Sequence, residues 1–302
     1  MSILLKSANV VGFLALVAIA VFIVLEQLSY FPGSNSQNNS QNTESNHSQN
    51  ATNTTATYLT PTEFTFGIWF LIFPLLLGFI ICQWFEWAHD AVVSGVSYFF
   101  FCQAVLNVVW LILWGLSFYL IDAIIQVVIF ILFVIIYFNF SNYYPPQGIF
   151  DSLFLTYPFS ILTAWNLYIL FLYFWIAIPG LNIISLTIVV LAFLSIIGLY
   201  IVDYYVRKDN IFAVTIIWIL LGIAIHNVET LPVFTTALAG IGLIIGGIFR
   251  NWCSFSVEWY ASFRFVETGG EYGSSFRNFR SEEPFGSSGH YLPERFDDNI
   301  FK

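Results

Sequence analysis

The sequence predicts an all-α fold: a polytopic membrane helix bundle of about eight transmembrane helices. Three observations predict it. Of the 302 residues, 58% are hydrophobic and only 9% are charged, against about 25% charged in ordinary soluble domains. Eight apolar runs, each long enough for a helix to cross the roughly 30 Å of a bilayer's hydrocarbon core, follow one another, with short polar breaks from the second run on. One residue in five is aromatic, with 34 Phe, 16 Tyr and 10 Trp. That is more than interfacial belts alone require, so part of the set must line helix interfaces or a cavity.

The first run, Ser7 to Leu25, is 19 uncharged residues behind Lys6. It outlasts the apolar core of a signal peptide and has no A-x-A cleavage pattern, so residues 1–30 read as a retained signal anchor. Residues 31–60 are rich in Asn, Ser, Gln and Thr, lack Lys and Arg, and carry N-x-S/T sequons at Asn38, Asn46, Asn50 and Asn53. This composition cannot bury a core and reads as a glycosylated outer loop. The following spans are Phe64–Trp84, about Gly95–Ser117, Ala123–Phe140, Ser152–Ile178, Leu181–Val202, Ile211–Val228 and Leu231–Phe249. Breakers such as Tyr144-Pro-Pro-Gln-Gly148 and Pro179-Gly180 separate them. Residues 61–178 therefore hold four spans and residues 179–250 three more. In the last, Gly242-x-x-x-Gly246 is a small-xxx-small pair; internal packing is the simpler reading and a homodimer the alternative. Residues 251–302 are mixed in charge, rich in Ser, Gly and Phe, and without sustained periodicity. They read as a disordered cytoplasmic tail with an interfacial start at Trp252 to Phe265.

Eight spans return both termini to one side. All nine basic residues (Lys6, Arg207, Lys208, Arg250, Arg264, Arg277, Arg280, Arg295 and Lys302) fall on that side, so by the positive-inside rule both ends are cytoplasmic. The sequon-bearing loop is then outside, as glycosylation requires, and the protein is expected in the secretory pathway, in the endoplasmic reticulum or plasma membrane. Asn139 also lies in a sequon, but at the cytoplasmic end of the fourth span.

Catalysis has little to work with. Glu86, His89 and Asp90 share helical i, i+3, i+4 spacing but fall in a short cytoplasmic connection, where a solvated turn is the simpler reading than a metal site. His226 and Glu229 end the seventh span near the outer interface, and Asp122 and Asp203 read as boundary residues. No acid or lysine is secured at mid-membrane, which disfavours an ion-coupled transporter. Cys82, Cys102 and Cys253 form no CxxC or zinc spacing, and Cys82 and Cys102 read as small apolar packing residues. The sequence therefore predicts no enzyme, no cofactor, no metal and no nucleic-acid partner.

Amide and indole groups are better placed. Gln103, Asn107, Trp110 and Trp114 sit at offsets 0, 4, 7 and 11, one stripe of a helix. Phe66, Trp69 and Phe73 share a face of the second span. At about 1.5 Å of rise per residue, Trp69, Trp110, Asn107 and Asn166 lie roughly 8, 10, 15 and 18 Å from the outer ends of their helices. All fall in the outer half of the bilayer. Flat aromatic walls with a few amides suit a rigid or planar lipophile such as a porphyrin or sterol; helix packing is the competing use for each side chain.

Three segments carry a family resemblance. Pro61 with Phe64-Thr-Phe-Gly-Ile-Trp69, Ala104-x-x-Asn107-x-x-Trp110, and Pro158-Phe-Ser followed by Trp165-Asn166 resemble, in order, the pattern of the tryptophan-rich sensory protein / translocator protein (TspO/MBR) family. The likeness covers roughly residues 5–178 and is closer to that family's longer relatives, which add helices to a five-helix core. Compact members have Gly-Pro-Val-Trp where this chain has Gly67-Ile-Trp69. The resemblance implies a ligand pocket lined by Phe66, Trp69, Phe73, Gln103, Asn107, Trp110, Trp165 and Asn166, with the loop before the second helix as its lid. The alternatives are a seven-helix receptor-like protein that has lost its first segment, and an ion-coupled transporter.

Overall fold

A computed structural model describes residues 2–29, 57–146, 148–203 and 208–267; the four sequons of the outer loop and residues 268–302 lie outside it. The chain is an all-α polytopic membrane bundle, and no strand occurs among the described residues. Eight helices carry it: α1 Ser2–Ser29, α2 Trp69–Cys82, α3 Phe99–Gly115, α4 Tyr119–Asn142, α5 Tyr157–Ala177, α6 Ile184–Asp203, α7 Asn210–His226 and α8 Leu231–Glu267. Among the described residues six segments are long and apolar enough to span a membrane; a seventh is the pair Glu86–Val96 and Phe99–Gly115, bent by 57°. The eighth, α7, is apolar but only 17 residues long.

Three boundaries differ from expectation for physical reasons. The second span opens with a 3-10 segment, Glu63–Ile68, before α2, since Gly67 and the two β-branched or aromatic neighbours on each side hold the chain poorly in an α-helix. The third span is not straight: a π-helical turn, Ala91–Val96, ends at Ser97, whose φ of 48° breaks the helix before α3. The last helix continues past Phe249 to Glu267, because Gly269-Gly270 is the first strong breaker after Gly247. That helix crosses the boundary between two compact units, Met1–Asn251 and Trp252–Lys302. Within the second unit, Trp252–Glu267 is helical.

In the first unit α5 is the centre: 72% of its span is buried, against 28–39% for the other spans. It packs on α4, α2 and α7, while α1 packs on α3 and α2, and α6 on α7. The seam with α4 is read off the spacing of the α4 residues that are buried, Asp122, Gln126, Ile129, Phe133, Ile136 and Phe140, which step by four and three as a helix face must. Against α2, Gly78 makes room for the Phe154 ring; a Cβ there would overlap it. At the other side, Asn9 Nδ2 donates to Gln83 Oε1 and Gln83 Nε2 to the Lys6 carbonyl, tying the start of α1 to the end of α2. Lys6 Nζ lies 5.6 Å from the Trp84 ring centroid.

The glycine pair is corrected by the structure. Gly242 and Gly246 meet no neighbour within 4 Å, whereas Gly240 faces Ser195 and Gly247 faces Leu199 on α6. Internal close approach therefore uses Gly240 and Gly247, seven residues and two turns apart. Gly240→Leu with Gly247→Leu is expected to lower the thermal midpoint of the purified protein, while Gly242→Leu with Gly246→Leu leaves it within a degree or two of the parent. A parental midpoint for the first variant would show that α8 does not depend on this contact.

Candidate functional site

The residues singled out from the sequence fall into two groups on different faces of α5. In the first, Phe66 from the 3-10 turn and Trp69 from α2 both meet Trp165 edge to face, with centroids 5.8 and 6.5 Å apart, and Phe73 lies 5.3 Å from Trp69. Tyr168 completes the group 5.7 Å from Trp165. Trp165 and Tyr168 are buried while Phe66 is 45% exposed, so the rings run from the core to the surface. Edge-to-face pairs of this kind fix ring orientation and leave flat faces for a further ring.

The second group gathers Trp110 and Trp114 of α3, Tyr119 of α4 and Tyr173 of α5. Trp110 and Trp114 each present to Tyr173, at 5.7 and 5.5 Å, and Trp114 meets Tyr119 at 5.1 Å. Two polar side chains with unpartnered atoms belong to the same helices, Gln103 to α3 and Asp122 to α4. Gln103 Oε1 and both carboxyl oxygens of Asp122 are buried and meet no hydrogen-bond partner among the described residues, while the Trp110 N–H lies against Tyr173. Buried polar groups are otherwise almost always paired, and each left alone costs about 1–3 kcal/mol. Atoms so placed can take a hydrogen bond from water or from another polar group.

The amides behave differently from one another. Asn166 is satisfied internally: its Oδ1 accepts from Gln126 Nε2 at 2.9 Å and its Nδ2 donates to the Leu162 carbonyl at 2.7 Å. Asn107 Nδ2 donates to the Gln103 carbonyl of its own helix, at 2.8 Å. The sequence reading placed all eight residues around one pocket; the structure gathers Phe66, Trp69, Phe73 and Trp165, sets Trp110 with the second group, and ties Asn166 to Gln126 in the seam between α4 and α5. Asp122, read from the sequence as a hairpin boundary, is fully buried.

Other candidates stay apart. Among the described residues no group of three His, Cys, Asp or Glu side chains comes together to hold a metal. Glu86 and Asp90 are exposed, as are His226 and Glu229. The expectation of a packing cysteine is met for the buried Cys82 and not for the exposed Cys102. Two adjoining cavities, of about 340 and 350 Å³, lie at the opposite end of the α4–α5 pair, between Tyr137, Tyr157, Lys208 and Asn210 in one and Ile149 and Leu153 in the other.

The 3-10 turn and the residues before it are held by α7 and by α5. Trp218 of α7 donates from Nε1 to the Thr65 carbonyl at 2.9 Å and meets Phe64 edge to face at 5.4 Å. The Gly222 carbonyl accepts from Thr62 N at 3.1 Å, and Tyr168 Oη donates to the Leu59 carbonyl at 2.9 Å.

A family model described as TSPO-like protein matches residues 9–250, which takes in α1 from Asn9, α2 to α7, and α8 as far as Arg250. The chain belongs to the TSPO-like family. No curated protein and no solved structure matches it. The match extends beyond the first five helices, so in this TSPO-like chain α6, α7 and the start of α8 belong to the same family unit as the ring groups. Sequence reasoning missed Trp218, Tyr168, Tyr173 and Asp122. The tryptophan in α7 was a legible signal, since a lone indole in an apolar run needs a partner for its N–H; its partner was not.

Proposed function

We propose that this TSPO-like protein binds a flat lipophilic ligand, such as a porphyrin or sterol, at the Phe66–Trp69–Phe73–Trp165 ring group. One observation carries the reading: Phe66 from the turn before α2 and Trp69 from α2 both meet the buried Trp165 of α5, Phe73 packs on Trp69, and the group reaches the surface at Phe66. Such a stack offers large area at low entropic cost, which is how aromatic anchors earn their share of binding energy. Sensing or transport of the same ligand is compatible with this geometry. Titrating the purified protein with protoporphyrin while following tryptophan emission tests it: saturable quenching at micromolar concentration is expected, and emission unchanged across porphyrins and sterols rejects it.

We further propose a multi-pass protein of the secretory pathway with both termini cytoplasmic, embedded in the bilayer and without a nucleic-acid partner; a homodimer remains the alternative use of Gly242 and Gly246. What supports the orientation is the one-sided placement of the basic residues. Glycosidase treatment is expected to reduce the mass of the protein made in a eukaryotic cell, and Asn→Gln changes at Asn38, Asn46, Asn50 and Asn53 to remove that shift. Sugar on Asn139, whose Nδ2 donates to the Gly95 carbonyl, would overturn the orientation.

A further inference from the structure

We propose that α7 is a clamp that holds the Thr57–Ile68 segment against the ring group and thereby sets the rate at which ligands reach it. The inference rests on the ligand reading above for its consequence, though not for its geometry. Four side chains or carbonyls outside the segment grip its main chain. Trp218 Nε1 donates to the Thr65 carbonyl, the Gly222 carbonyl accepts from both the N–H and the hydroxyl of Thr62 (3.1 and 3.3 Å), and Asn227 Nδ2 donates to the Tyr58 carbonyl at 3.1 Å. From the connection before α6, Asn182 Oδ1 accepts from Tyr58 N at 3.0 Å.

The clamped segment touches the ring group directly. It supplies Phe66, leads into Trp69, and is bonded at Leu59 by Tyr168, the neighbour of Trp165. Thr65 is fully buried and seated on Gly222, where any Cβ would overlap its hydroxyl. A grip made mostly of hydrogen bonds to main-chain groups can open without unfolding a helix, because each bond is worth only about 1 kcal/mol net. The helices added to the five-helix core thus have a task at the site rather than beside it.

The test uses the full chain in lipid nanodiscs, with Trp218→Phe, which keeps the ring and loses the N–H, and Asn227→Leu. Leu243→Ala, on the exposed side of α8, is the control. Two quantities are read: hydrogen exchange of the peptide covering residues 57–68, and the rates of protoporphyrin association and release by stopped-flow quenching. Each clamp variant is expected to speed exchange in that peptide about fivefold, the factor that follows from losing one ordinary hydrogen bond, and to raise both porphyrin rates together with little change in Kd. Exchange equal to the control overturns the clamp, as does faster exchange spread evenly through α1 to α8. Faster local exchange with unchanged porphyrin rates overturns its control of access. If the parent binds no porphyrin at all, the ligand reading falls instead, and the exchange measurement alone decides the clamp.

Discussion

Trp165→Ala is expected to weaken binding of a flat lipophile by at least tenfold, about 1.4 kcal/mol or more. Trp165 is 3% exposed and is the ring that Phe66, Trp69 and Tyr168 all touch, at 5.7–6.5 Å. Truncating it removes the anchor and the orientation of its neighbours together. It also opens a cavity, which for a buried tryptophan costs about 3–5 kcal/mol of stability, so Trp165→Phe is the companion variant: it retains a ring, and its binding is expected to fall between alanine and the parent. Phe193→Ala is the control. Phe193 is half exposed on α6 and packs on Phe171, 5.6 Å away, far in sequence and contact from the ring group. Equal affinities for Trp165→Phe, Phe193→Ala and the parent, by quenching titration, would assign the rings to packing alone.

The second large effect is steric. At Gly222 a Cβ would overlap the Thr65 hydroxyl and stand 2.9 Å from Thr65 Cβ and Cγ2, below any ordinary contact. Thr65 has no long, flexible end to swing away, since its Cβ is attached to a main chain bonded to Trp218. Gly222→Val is therefore expected to cost at least the 1–3 kcal/mol typical of overpacking, read as a lower thermal midpoint. Thr65→Ala removes two of the three clashing atoms and is expected to recover part of the loss in the double variant, a coupling that independent sites do not show. Equal midpoints for Gly222→Val and the parent would mean that the segment is not seated on α7.

Much of this architecture was legible in the sequence because bilayer length and apolar composition together allow few alternatives. Each expected run from Ser7 onward coincides with a helix. The ring group was legible too: Phe66, Trp69 and Phe73 share a helical face by spacing, and Trp165 lies at a matching depth. What spacing does not reveal is the partner across the interface. Asn166 and Trp165 are adjacent in sequence, yet about 100° of helical rotation sends one to Gln126 and the other to Trp69. The small-xxx-small pattern at Gly242 and Gly246 was genuine as a pattern, but Gly240 and Gly247 occupy the face that meets α6. Asp122 looked like a boundary residue from its distance to Ser117. The positive φ of 61° at Ser117 makes the hairpin tight, and Asp122 enters α4 already buried.

The most direct test of the central claim is photoaffinity labelling of the full chain in membranes with a diazirine-bearing sterol and a diazirine-bearing porphyrin, followed by mapping of the labelled peptides. The account predicts label concentrated in the peptides covering Glu63–Phe73 and Tyr157–Ala177, competed by the unlabelled compound and lost in Trp165→Ala. Label spread along exposed lipid-facing positions such as Val189, Ile196, Leu243 and Phe249, with no competition, would contradict it.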